Sequence, residues 1–210
     1  GDPKVINGEA IVTGNIMELK PKLAIISGEA DDPVVVRLPE MPDLGYVAFT
    51  PTSAAEPMPT AQYETEATIV TSQLLHMIDE PGQTLFRFIE DVQVTATNLD
   101  TTCEHLEVIA VEQPDVAADP KAALELERIE ARENVVIKQT GRIASAKKAI
   151  FLPKEVKVVL EGNAVVKDEQ GRATGHRMTL FQGQGRAIVE GGGLEGERAR
   201  VTLPAMSDSQ

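Results

Sequence analysis

One phrase recurs along this chain, and the recurrence limits its fold more than any other feature. Residues Asn134 to Phe151 read NVVIKQTGRIASAKKAIF, and Asn163 to Phe181 read NAVVKDEQGRATGHRMTLF. Each has an Asn, a short Val/Ile run, a polar turn, Gly-Arg, small residues, a basic residue and a closing Phe. A third copy runs from Phe88 to Val108, with Asp91 at the Asn position and Thr102-Cys103 at the small pair. A fragment of a fourth, VTGNIMEL from Val12 to Leu19, matches ATGHRMTL from Ala173 to Leu180. The segments that follow, KLAIISG from Lys22 and RAIVEG from Arg186, also resemble each other. Units this short cannot each close a core, so they stack and share one apolar interior.

Within a unit the apolar residues alternate. Phe86, Phe88, Val92 and Val94 share one parity, as do Val158, Leu160, Ala164 and Val166. This is the pattern of half-buried strands. Turns such as Asp79-Glu80-Pro81-Gly82, Asp168-Glu169-Gln170-Gly171 and Gln182-Gly183-Gln184-Gly185 separate them, with Gly able to supply positive φ. The expected fold is all-β, an elongated repeat-built β-jelly-roll or folded-over sheet. A single domain is expected over residues 4–204, followed by a tail at 205–210. The Pro-rich stretch at about 39–66 reads as an irregular insertion over one edge. Asp119 to Arg128, DPKAALELER, has a cap residue, a Pro at the first helical position and helix formers after it, so one short helix has a place there.

Composition removes several function classes. A formal charge of -13 with scattered basic residues argues against nucleic acid, and 3% aromatic residues without Trp leave few stacking platforms. No apolar run approaches the roughly 20 residues of a membrane-spanning helix. Cys103 is the only cysteine, so neither an intrachain disulfide nor a multi-cysteine metal site is available. It falls where Ser145 and Gly175 stand in other copies, which suits a small packing residue. His76, His105 and His176 lack a second His at ligand spacing, so no metal is expected and solvent-facing strand positions suit them better. Gly191, Gly193 and Gly196 satisfy G-x-G-x-x-G, but ERARVTLP from Glu197 reads as a strand rather than the required helix. Asp31-Asp32 and Asp79-Glu80 are adjacent acids on turns without the facing geometry of acid-base catalysis. No nucleophile-base arrangement emerges, so neither an enzyme nor a cofactor is expected. Arg142, Lys147, Lys148, Arg172 and Arg177 recur beside the small-residue turns, where they either meet anionic groups or balance an acidic surface.

The order of these motifs resembles the OstA-like domain of the lipopolysaccharide-transport proteins. The resemblance rests on a strand ending in Gly162-Asn163 before a Val-rich strand, a small-residue turn and a Gly191-Gly192 close. It extends over about Thr68 to Pro204, with Glu133 in place of Gly before Asn134 and Glu90-Asp91 in place of Gly-Asn. The resemblance implies a periplasmic protein, its signal or anchor trimmed ahead of Gly1, that holds lipid A acyl chains of lipopolysaccharide in an apolar groove and passes them on. The groove would be lined by Phe86, Phe88, Val92, Val94, Val135, Ile137, Ile150, Val158, Leu160, Val166, Met178 and Leu180. Read from alternation alone, those residues serve equally as an ordinary packed core. Implied partners are other lipopolysaccharide-transport proteins, paired by edge strands, and further copies joined end to end. The competing reading is a structural or adhesive envelope protein with a filled, ligand-free β-stack.

Overall fold

The computed structural model describes residues 3–7, 10–38, 67–112, 124–169, 171–181, 186–192 and 198–203. The Pro-rich stretch at 39–66 lies outside them. The described chain is one antiparallel sheet of fifteen strands. The first seven are β1 (Lys4–Asn7), β2 (Ala10–Thr13), β3 (Ile16–Lys20), β4 (Leu23–Ser27), β5 (Val34–Leu38), β6 (Thr68–Ser72) and β7 (Leu74–Glu80). Long strands follow: β8 (Gln83–Ala96), β9 (Leu99–Glu112), β10 (Leu124–Gln139), β11 (Arg142–Leu152), β12 (Lys157–Asp168) and β13 (Gly171–Phe181). Two short ones, β14 (Arg186–Glu190) and β15 (Arg200–Thr202), close the chain.

The expected helix is absent where the chain is described. Leu124 to Arg128 open β10 and pair with β9, and residues 119–123 lie outside the described set. Leu126 and Ile129 stand three apart, a helical spacing. An extra residue between Leu126 and Arg128 bulges the strand and turns both side chains to the same face. Helix propensity is a weak prior beside a waiting strand edge. The described helical structure is a single 3₁₀ turn at Pro153–Glu155.

The repeated Asn position is what folds the sheet over. Glu90-Asp91, Glu133-Asn134 and Gly162-Asn163 all have positive φ, at the same level of β8, β10 and β12. At each pair two residues oppose one on the neighbouring strand, as between Glu161 and Ala164 opposite Arg177 and Gly175. Such bulges bend a strand sharply. Asn and Asp enter the left-handed region most readily after Gly, which explains the recurring residue type. Gly162 is required for a second reason, since a Cβ there would sit 2.9 Å from Lys147 Cβ. The corner continues through the shorter strands at Gln73, whose N–H donates to the Glu90 carbonyl and whose carbonyl accepts from Gly28. At its two ends stand Gly14 and Gly175, the matched glycines of the VTG and ATG fragments, where a Cβ would come within 2.5 Å of Ile26 and 2.8 Å of the Glu190 carbonyl respectively.

The corner divides the sheet into two leaves. Leaf one comprises β3, β4, β7, β14 and the halves of the long strands at 83–89, 105–112, 124–132, 148–152, 157–161 and 177–181. Leaf two comprises β1, β2, β5, β6, β15 and the remaining halves. Register aligns the inward residues into rows across the strands. In leaf one, nearest the corner, the row is Met17, Ile26, Leu75, Phe88, Leu106, Ala131, Ala149, Leu160, Met178 and Val189. The next row out runs from Leu19 through Met77, Phe86, Val108, Ile129, Phe151, Val158 and Leu180 to Ala187. In leaf two Val12, Val36, Val70, Val94, Thr101, Ile137, Ala144, Val166, Ala173 and Val201 align in the same way. Side chains of both leaves form one apolar cluster, so the leaves face each other.

The opposite face of leaf one is charged. Arg87 pairs with Glu107 at 2.9 Å, and Arg177 lies between Glu161 and Glu190. Glu130 is buried beneath long side chains, taking Arg128, Arg132 at 2.5 Å and Lys148 at 2.9 Å. Three cations on one carboxylate meet the desolvation cost that would otherwise expel it from a covered site.

Two outcomes follow. Asn163→Val, which forces a β-branched side chain into the left-handed region, lowers unfolding stability in urea titration by about 1–2 kcal/mol, whereas Asn163→Gly changes it little. Cys103 is buried in the corner, level with Val92, and burial, aided by the nearby Glu104 charge, pushes its thiol up to about 12. The folded protein at pH 8 therefore leaves a disulfide reagent such as Ellman's unreacted, and the same solution reacts once urea unfolds the chain.

Candidate functional site

The interior is not filled. Between the leaves lies a cavity of about 120 Å³ whose walls are almost wholly apolar. Leaf one contributes Leu106, Ala131, Ala149 and Leu160 from the row at the corner, Ile129, Phe151, Val158 and Leu180 from the next, and Leu126 at its tip. Leaf two contributes Val70, Val94, Ile137 and Ala144, with Leu38, Thr68, Leu99, Gln139 and Arg142 towards its tip. The corner side is shut by Val92 and Val135, each 1% exposed.

Residue size explains the void. Among the inward positions of β10 and β11, Ala131 and Ala149 in leaf one and Ala144 in leaf two line the cavity, with Ala146 beside it towards the corner. Larger residues flank them, Leu106 and Leu160 along one row and Ile137 and Val166 along another. Facing alanines leave between the leaves the volume that leucines would occupy, and an apolar hollow of this kind loses the dispersion contacts of a close-packed core unless something enters it.

The sequence-derived groove residues divide into three groups. Val94, Ile137, Val158, Leu160 and Leu180 line the cavity. Phe86, Phe88, Val92, Val135, Val166 and Met178 lie on the inner faces beside it, in the apolar cluster. Ile150 does not belong with them. It pairs with Glu130 and Val159 on the outer face, while its neighbours Ala149 and Phe151 point into the cavity. Three consecutive apolar residues, Ala149, Ile150 and Phe151, hide the parity; pairing of Phe151 with Ile129 and Val158 settles it. Leu106, Val108 and Ile129 also line the cavity without having been singled out, although the same alternation on β9 and β10 carries the signal; Thr68, on β6, is polar and gives none.

The polar candidates scatter. Among the described residues no group of three or more His, Cys, Asp and Glu gathers to hold a metal. His105 is on the outer face, 3.9 Å from Glu133. Lys148 serves Glu130, and Lys147, His176 and Arg177 border a shallow, mixed-charge depression outside the corner with Glu161 and Glu190. Arg142 alone of the basic set reaches the cavity, and its guanidinium is held 3.0 Å from Asp168. Gly193 and Gly196 lie outside the described residues.

No curated protein matches the chain. Among solved structures it aligns with LptH from Pseudomonas aeruginosa, described as the LptA-homologous periplasmic component of the conserved lipopolysaccharide transport device, at 13% identity over 93% of this chain and 95% of that one, with a TM-score of 0.33. Residues 70–186, more than half of the 210, match the family described as LptA/(LptD N-terminal domain) LPS transport protein. That span takes in all three left-handed corner pairs and the cavity alanines Ala131, Ala144 and Ala149, and the chain belongs to this family of lipopolysaccharide transport proteins.

Proposed function

We propose that this lipopolysaccharide transport protein carries its cargo by taking lipid A acyl chains between the two leaves, and that it works in the periplasm. The chain is not an enzyme. The observation that carries the reading is the apolar cavity built from both leaves, whose lining falls within the span matched to the family except for Leu38 and Thr68. Each methylene moved from water into such walls contributes roughly 0.8 kcal/mol, so aliphatic walls hold a chain without any catalytic group. Smooth Val, Leu, Ile and Ala surfaces also offer few specific contacts to break as a chain leaves. A structural or adhesive role calls for a filled interior, and the facing alanines speak against it.

The ends of the sheet support a second element. Exposed apolar side chains gather there: Ile16 and Leu19 on β3, and Ile188, Val201 and Leu203 at and beyond β14 and β15. Unpaired edges with apolar side chains recruit further strands. On this reading one end of a molecule pairs with the opposite end of another copy, or with another component of the transport system.

Three experiments test these proposals. Photo-reactive side chains at Leu160 and Ile137 should give lipopolysaccharide adducts, with none at the outward Ile150 and Lys167; equal labelling of all four would remove the groove. Ala144→Leu fills the cavity and should weaken lipopolysaccharide binding by about tenfold, with little change in melting temperature. For the ends, a chain carrying both Leu19→Cys and Ala187→Cys, the two ends of one inward row, should form a disulfide ladder under mild oxidation while each single variant stays monomeric, having no cysteine at the opposite end to meet. A double variant that stays monomeric sinks end-to-end pairing.

A further inference from the structure

Thr68 is out of place in the cavity wall. It is 1% exposed, and among the described residues its Oγ1 has no hydrogen-bond partner. It lines the cavity beside Val70 and opposite Leu38, its partner on β5. Leaving a hydroxyl buried and unpaired is unfavourable, and a Val of the same shape would avoid the cost. Val is what the neighbouring inward positions Val36, Val70 and Val94 hold. The hydroxyl is also not deep at the corner. It belongs to the row nearest the leaf-two tips, where Gln139 and Arg142 also line the cavity, pairing with each other across β10 and β11. The rows behind are apolar except for Thr101 and Ser72.

Resting on the groove reading, we infer that the cavity selects acyl chains bearing a hydroxyl near the head, and that Thr68 Oγ1 is its hydrogen-bond partner. A chain lying with its tail towards the corner places its first carbons at the tip row, so the hydroxyl meets Thr68 while the unsubstituted remainder lies against the apolar rows. Thr68 is then a specificity residue: it adds little for a plain chain and a hydrogen bond for a hydroxylated one.

The test uses two probes of equal length, tetradecanoic acid and 3-hydroxytetradecanoic acid, titrated calorimetrically into the whole chain and its Thr68→Val variant. The wild type should bind the hydroxylated acid about three- to tenfold more tightly, the range of one neutral hydrogen bond. Thr68→Val should bind both alike, keep the affinity for the plain acid, and melt no lower than the wild type, since it removes an unpaired buried hydroxyl. Equal binding of the two acids by the wild type, a preference that survives in Thr68→Val, or a melting temperature several degrees lower in the variant would each overturn the inference and leave the groove standing. If neither acid binds the wild type, the groove reading fails and this inference with it.

Discussion

Everything in this molecule depends on a backbone event that recurs along one line: two consecutive residues in the left-handed region, inserted as a bulge into every second long strand. Without it, strands as long as β8 or β10 would make a flat sheet with one apolar face open to water. With it, Phe88 and Val92 on one strand point into the same interior from opposite leaves, although a charged pair, Glu90-Asp91, stands between them. Glu90, Glu133 and Gly162 occur where alternation would place an inward residue, and the bend removes that position from the interior. Strand, corner and strand thus form one repeating unit, and stacking the units prolongs both apolar faces together.

A fold made this way has two unusual liabilities, and both bear on transport. The interior can be left unfilled without collapse, because each leaf is held by its own ladder of backbone hydrogen bonds and, on the outer face, by ion pairs such as those around Glu130. The sheet also ends in open edges rather than closing as a barrel, so apolar side chains such as Leu19 and Val201 remain in water. In an ordinary domain selection removes such features, the first by larger core residues and the second by charges or prolines at the edge. Here small residues persist at facing positions on both leaves.

The sequence disclosed the strand class, the turns and the corner, because those rest on local rules: alternation with period two, and Asn, Asp or Gly where φ is positive. Register was less legible. Ala149, Ile150 and Phe151 are all apolar, and only pairing with Ile129 and Val158 selects Ala149 and Phe151 as the inward ones. The start of β10 was misread for a related reason, since the bulge after Leu126 gives a strand the spacing of a helix. Of the two residues matched to Cys103 in the other copies, Gly175 does share its level, through Val135, Ala146 and Ala164, whereas Ser145 is one residue off and its neighbour Ala146 takes the place. The void itself was beyond reach of alternation, because it is a property of two leaves facing each other, and whether Ala131 and Ala149 come opposite Ala144 is not written in any one strand.

The rows explain why an edge-paired assembly would differ from a series of separate carriers. The second row of leaf one runs without interruption from Leu19, 69% exposed on β3, to the exposed Ala187 on β14. An edge strand docking from another copy continues this row in register, because strand pairing fixes the alternation on both sides of the junction. Apolar wall then meets apolar wall across the interface, and a chain held between leaves can shift from one molecule to the next without crossing water. Were the ends joined through a polar surface instead, each methylene would have to re-enter water at the junction, at roughly 0.8 kcal/mol apiece. For a chain of a dozen carbons that barrier is large enough to stop transfer, so the apolar edges that look like an aggregation hazard are the feature a continuous path requires.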